Sequence, residues 1–365
     1  MKNSIPFRER DTFWRKQSDF FSRKWPGFVF GLGTKNILPV FRFSRVTRQE
    51  LEPYLIYLME NGYETLQSVE VEAVLSGERS IQGREVALCF DHAWASLWSV
   101  AAPLLERYNQ KAITFAIPGR TKDHEALRPV WGEPGHDPAI DYTKNPFCSW
   151  QELKVLSDSG RLDVQSNCWS HGKIFTNEQF LKLIVPESRL PSLSWPMIND
   201  PGEPLRFLSR SNVFHPLLPT RSRLSDGKRH VVDPSVVEAI HYDPDAAPYL
   251  FKKYFLQIET DKERAEAIAF ELRQSREVLE ARLGKSVHQI AFPWGVCGTI
   301  AKDLLGTLGY RSAFADRMSS EFMLKPNQSP FSLGRLDYPY IRALPGRPRK
   351  RYWRIQTNDS MRAFS

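Results

Sequence analysis

Three short stretches carry side chains with chemical capacity. In CFDHAW, Asp91 and His92 stand beside Trp94 at the end of the apolar run Val86-Ala87-Leu88. Ser166-Asn167-Cys168-Trp169-Ser170-His171 adds a second imidazole, an amide, a thiol and another indole. Ala291-Phe292-Pro293-Trp294-Gly295 adds a third indole behind a proline. An imidazole titrates at about pH 6.5, so His92 and His171 beside Asp91 could give and take protons at neutral pH. Neighbours on a strand point opposite ways, so adjacency of Asp91 and His92 does not ensure contact, although alternation relaxes at a strand end. Trp94, Trp169 and Trp294 could stack a sugar or another planar ligand. Core packing is the competing use, above all for Trp98 in a helix. Cys168 has no legible Cys-His-Asn arrangement to activate it, and Cys89 reads as core.

Regular elements must position these stretches. Apolar runs at residues 37–43, 86–90, 112–117, 162–166, 287–292 and 311–315 read as strands. Helices alternate with them. Capping boxes at Thr47-x-x-Glu50, Ser149-x-x-Glu152 and Thr260-x-x-Glu263 open three, and Gly62, Gly160 and Gly284 close them. Residues 97–108 and 299–308 read as two more. Continuous apolar strands alternating with helices imply a parallel sheet covered by helices, as a barrel in preference to an open sheet. The three reactive stretches then lie at carboxyl ends of strands, where such folds place their chemistry. No helix opens on a G-x-G-x-x-G or P-loop pattern.

Two long interruptions, 119–147 and about 172–258, are expected to shape the mouth; for the second, scaffold elaboration is the competing reading. Residues 10–24 place Phe13, Trp14, Phe20 and Phe21 on one helical face, which would pack on its own domain or lie on a membrane surface. The expected domains are an amphipathic extension over 1–36, a barrel over 37–340 and a basic tail over 341–365.

The chain has 365 residues and a net charge of +8. From residue 335 to 354, seven basic side chains face one acid, Asp337, a net +6. Such a tail could hold anionic lipid or a phosphorylated substrate, or serve only as a solvated end. No nucleic-acid module accompanies it, so no nucleic-acid partner is expected. The cysteines (Cys89, Cys148, Cys168, Cys297) are scattered, which argues against a disulfide framework or structural zinc. The N-terminus has charges but no signal-like apolar core, and a cytoplasmic location is expected.

The order of the three stretches resembles the NodB-homology, or polysaccharide deacetylase, family, which carries a T-F-D-D-G motif, an H-x-x-x-H motif and a Y-P-[YW]-G element after successive strands. The flanks WASLWSVAAPLLERYNQKAITFAIPG and IAFPWGVCGTIAKDLLGTLGYRSAFA carry the likeness further. It spans about residues 37–120, 149–175 and 260–340. The resemblance implies the seven-stranded distorted (β/α) barrel of that family with a long insertion, and an amide hydrolase releasing acetate from a saccharide. It also implies Asp91 as the base and Arg335 (in LGRLDY) near the last strand. With the indoles read above, the expected substrate contacts are Trp94, Trp169, Pro293, Trp294 and Arg335. The family's divalent metal, zinc foremost, would fall to His92, Asn167 and His171.

The sequence departs from the family at several positions. His92 stands where the metal-binding acid belongs, Asn167 where the first metal histidine belongs, and Ala93 where the glycine belongs. Ser44 replaces a histidine that one branch offers as general acid. Without a carboxylate ligand, metal affinity is expected to fall by orders of magnitude, although two imidazoles could still hold zinc, copper or nickel. Repair of the metal set by His136, Asp163 or His215 has no support from their positions in the chain. Three readings follow: a deacetylase-like hydrolase of N-acyl or O-acyl saccharides with an altered metal centre, a non-hydrolytic binding protein, and a metal-free acid/base enzyme using Asp91, His92 and His171.

Overall fold

The computed structural model describes residues 26–124, 126–137, 146–184, 197–198, 207–208, 214–253, 257–315, 323–350 and 355. Strands β1 (Leu38–Phe43), β2 (Glu85–His92), β3 (Ala112–Ala116), β4 (Leu162–Ser166), β5 (Gln289–Ala291) and β6 (Ser312–Ala315) pair in parallel, each with the next. Strand β7 comes in two halves. Leu333–Gly334 pairs with β6 and Leu336–Asp337 pairs with β1. Only Arg335 separates them, so the sheet closes into a seven-stranded (β/α) barrel.

Strand alternation sorts the side chains. Val40, Ala87, Cys89, Ile113, Phe115, Ala291, Phe314 and Leu333 share the inner cluster, while Phe41, Phe43, Leu88 and Phe90 pack outward under helices. Helix α1 (Arg48–Glu60) opens on the Thr47 capping box. Helix α2 (Ser68–Ser76), unmarked in the sequence reading, opens on Gln67 and Glu70 and packs Val71, Val74 and Leu75 onto the inner cluster.

The helix expected at 97–108 forms with a π segment in its first part. Residues Leu97–Ala101 wind as a π turn before α3 (Ala102–Arg107). Pro103 has no N–H, which frees the Ser99 carbonyl, and the Trp131 N–H takes it at 2.6 Å. Helices α4 (Trp150–Asp158) and α5 (Asp261–Leu283) open on Ser149 and Thr260 as expected, and α6 (Thr299–Thr307) follows β5.

The second interruption builds its own small core from Phe175, Ile184, Leu217, Leu218, Val232 and Val236, around a short sheet that starts at Lys173–Phe175. The helix expected at 10–24 lies outside the described residues, as do Arg351 and Arg354. Elsewhere the basic tail is engaged. Arg335 is part of the barrel, the Arg342 guanidinium lies 5.0 Å from the Tyr57 ring, and Arg349 donates to the carbonyls of Phe28 and Ala343 at 2.5 and 2.9 Å. No described helix is long and apolar enough to cross a membrane.

At the α2 side of the barrel, Glu72 sits 3.2 Å from His288 and 3.6 Å from the largely exposed Arg311. Burial outweighs these partners and raises its carboxyl to about 7. The folded state therefore favours protonated Glu72. Its stabilising effect is complete below the unfolded value of 4.5 and is lost as pH climbs through about 7. His288, lowered by its own burial, changes in the opposite sense, so the informative comparison is between proteins rather than between pH values. Glu72→Gln is expected to leave the urea midpoint nearly unchanged at pH 5. At pH 8 it should stabilise by on the order of 2 kcal/mol. Equal effects at both pH values would contradict the assignment.

Candidate active site

The reactive residues meet at the carboxyl ends of the strands. Asp91 continues the inward phase of Ala87 and Cys89, at 7% exposure. The Arg335 guanidinium grips it, Nη1 to Oδ1 at 2.5 Å and Nη2 to Oδ2 at 3.2 Å. Arg335 is 4% exposed and lies 5.4 and 5.7 Å from the rings of Phe115 and Phe314. Two parallel bonds fix the carboxylate plane as one could not.

Alternation would send His92 outward with Phe90. Instead its φ is +73° and that of Ala93 is +48°. This left-handed turn brings the His92 ring over the mouth, where its Nε2 lies 3.1 Å from Nε2 of His171. Cys168 (+70°), His171 (+54°) and Trp294 (+61°) share the left-handed region. Five such non-glycine residues at three strand ends mark stored strain, on the order of 1 kcal/mol each or more.

Asn167 follows β4, whose pairing with β5 is a single register match, Ser166 with Ile290. Its Nδ2 donates to the Ala291 carbonyl at 2.7 Å and its backbone N–H to the Ala116 carbonyl at 2.7 Å. The amide thus extends the ladder across this seam, and Oδ1 is left buried with no hydrogen-bond partner among the described residues.

The loop from Cys168 to Gly172 is organised by Glu271 of α5. Its carboxylate accepts from Cys168 Sγ at 2.6 Å, the Ser170 N–H at 2.9 Å and Ser170 Oγ at 2.5 Å. The sequence reading passed over Glu271. Its signal was an acid on the helix face that buries Ile268, Leu272, Ser275 and Leu279. Burial and the Glu271 carboxylate hold the Cys168 thiol well above its usual range, which removes it as a nucleophile.

The indoles divide. Trp94 donates from Nε1 to Ser44 Oγ and His92 Nδ1, each at 3.1 Å. Trp294 lies 5.0 Å from the His171 ring, with Lys173 Nζ 3.8 Å from its centroid, and Pro293 starts the buried turn beneath it. Trp169 turns toward α5, edge-on to Phe270 at 6.4 Å, and its carbonyl accepts from the Gly119 N–H at 3.0 Å. Any Cβ on Gly119 would come within 2.7 Å of that carbonyl oxygen. His215 belongs to the core of the interruption, bonded to the Pro216 carbonyl at 2.8 Å, and Asp163 pairs with Lys285.

Residues 79–184 match the family model described as polysaccharide deacetylase. The matched segment carries Asp91, His92, Asn167 and His171, so the part of the chain that holds these residues is similar to that family. A poly-beta-1,6-N-acetyl-D-glucosamine N-deacetylase of Escherichia coli is 26% identical over 138 residues, 37% of this chain and 20% of that protein. This chain therefore matches about a fifth of the length of that curated relative. The BpsB deacetylase domain of Bordetella bronchiseptica superposes with TM-score 0.54 at 13% identity, covering 84% of this chain and 97% of that one. A de-N-acetylase of Aggregatibacter actinomycetemcomitans gives 0.53 at 15%, covering 83% and 95%. At such identities these two establish the fold.

The family metal would fall to positions 92, 167 and 171, and the residues there do not fit a dication. Asn167 could offer only its amide oxygen, a neutral and weak ligand, while its Nδ2 is held at the β4–β5 seam. Asp91 gives both oxygens to Arg335. Among the described residues, no three His, Cys, Asp or Glu side chains are placed to share an ion. Burial holds His92 well below the ordinary imidazole range, and His171, Arg42, Arg335 and Arg45 add their positive potential. The three guanidiniums would repel a divalent cation as they repel a proton.

Arg335→Ala is expected to cost about 3–5 kcal/mol in urea unfolding, because it strips the guanidinium from a buried carboxylate. Asp91→Ala should cost a similar amount. The double variant should lose less than the two singles combined, by more than about 1 kcal/mol. Additive losses would mean that the two residues contribute independently.

Proposed function

We propose that this chain is a deacetylase-like hydrolase that removes an acyl group, on nitrogen or oxygen, from a saccharide-like substrate. The observation that carries this reading is the convergence of Arg335-clamped Asp91 with the His92–His171 pair at the mouth of a barrel of this fold. The Escherichia coli relative is named for an N-acetylglucosamine polymer, which supports the choice of substrate class.

The chemistry follows from the side chains. Asp91, fixed in plane by Arg335, takes a proton from water as the water oxygen bonds to the acyl carbon. The tetrahedral intermediate collapses by breaking the C–N or C–O bond. The departing nitrogen or oxygen takes a proton from the imidazole pair as the pair receives the proton held by Asp91, so the proton taken from water ends on the leaving group and Asp91 is a carboxylate again. The products are a carboxylic acid and a free amine or hydroxyl. Trp294 beside His171 offers an apolar face to the sugar ring.

The test is acetate release by the full chain from N-acetylated and O-acetylated oligosaccharides. His171→Ala and Asp91→Asn, each checked for retained fold, should lower kcat/KM by roughly 100-fold or more. Absence of release from every substrate would overturn the hydrolase reading, and tight oligosaccharide binding without release would put a binding role in its place.

A further inference from the structure

We infer that Trp94 is a positioning residue that commits His92 to one tautomer, making the His92–His171 pair a hydrogen-bonded imidazole chain closed to metal. A neutral imidazole has one N–H and one lone pair. The Trp94 indole can only donate, and its N–H is directed at His92 Nδ1. Nδ1 must then present its lone pair, so the His92 proton sits on Nε2. That proton faces His171 Nε2 at 3.1 Å, which must accept, so the His171 proton sits on Nδ1.

Metal ligation through Nε2 requires the opposite arrangement. The lone pair would sit on Nε2 and the proton on Nδ1, normally donated to a carboxylate or carbonyl. At His92 that proton would confront the indole N–H across 3.1 Å.

The indole is firmly placed. The Arg45 guanidinium lies 3.8 Å from the ring centroid, and the Phe147 ring stacks on it at 4.6 Å and 13°. A backbone bridge joins Trp94 to Phe147, and the Trp94 carbonyl accepts from the Leu97 N–H at 2.8 Å and from Cys148 Sγ at 3.2 Å. Ser44 Oγ shares the indole proton from the side. The left-handed backbone at His92 and Ala93 turns the imidazole to meet it. The replacement of acid by histidine at position 92 therefore comes with a donor that decides how the histidine is used.

The inference builds on the proposed hydrolase reading but is tested without substrate. In the 15N-labelled full chain, long-range 1H–15N spectra should show His92 protonated on Nε2 and His171 on Nδ1. Trp94→Phe keeps an aromatic ring and removes the N–H. It should move the His92 Nδ1 signal away from its hydrogen-bonded position and raise zinc affinity at least tenfold by titration with zinc alone. A wild-type His92 protonated on Nδ1, or stoichiometric zinc held by both Nε2 atoms, would overturn the inference. If the variant does not fold, the wild-type spectrum and zinc titration decide. Acetate release abolished by a strong chelator would keep the hydrolase reading and overturn this one.

Discussion

The site depends on one buried ion pair. Asp91 and Arg335 are 244 positions apart, and each would be costly to bury alone. Arg335 occupies the single position between the two halves of β7, one bonded to β6 and the other to β1. The residue that orients the carboxylate therefore sits at the point where the barrel closes. Two positions on, Asp337 repeats the device by pairing with Arg42 of β1 at 2.7 Å. Closure of the sheet and assembly of the site are one event. A barrel left open at this edge would keep its first strands but would hold Asp91 without its partner.

This arrangement gives physical meaning to the exchanges at 92 and 167. The family pattern has an acid at the first position and a histidine at the second. Here the second position holds an amide that bonds to the Ala291 carbonyl across a seam with one register match. An imidazole at 92 in turn meets His171 and Trp94 rather than a cation. The two changes are mutually consistent, since each replaces a metal bond by a hydrogen bond within the chain.

The parts of the fold written in short-range pattern were legible. Capping boxes at Thr47, Ser149 and Thr260 rest on contacts three residues apart, and the inward phase of Ala87, Cys89 and Asp91 rests on strand alternation. Asp91, His92 and His171 could be named because they end apolar runs, and the family likeness placed Arg335 near them. What escaped depends on long-range geometry. Nothing local says that Arg335 grips Asp91 with both nitrogens, or that Trp94 faces His92 while Trp169 turns to Phe270. The helix over 97–108 formed, but its π segment was not legible, because Pro103 leaves the Ser99 carbonyl to the Trp131 N–H far along the chain. Glu271 was readable in principle, as an acid on a buried helix face, but its partners were not.

The second interruption bears on the site more closely than its irregular composition suggests. Its sheet starts at Lys173, two residues after His171, and the Arg223 N–H donates to the Gly172 carbonyl at 3.1 Å. The Arg223 guanidinium is buried against Glu259 at 2.9 Å, so this strand is anchored and cannot drift. Next to it, Leu224 accepts from the Gly298 N–H at 2.8 Å, and Asp226 caps α6 through the N–H groups of Thr299 and Ile300. The segment from Arg223 to Asp226 thus braces both the His171 loop and the chain that leaves Trp294. Glu271 holds the His171 loop from the helix side. A left-handed histidine persists only where its surroundings over-determine it, and here a buried carboxylate and an anchored segment hold the loop together.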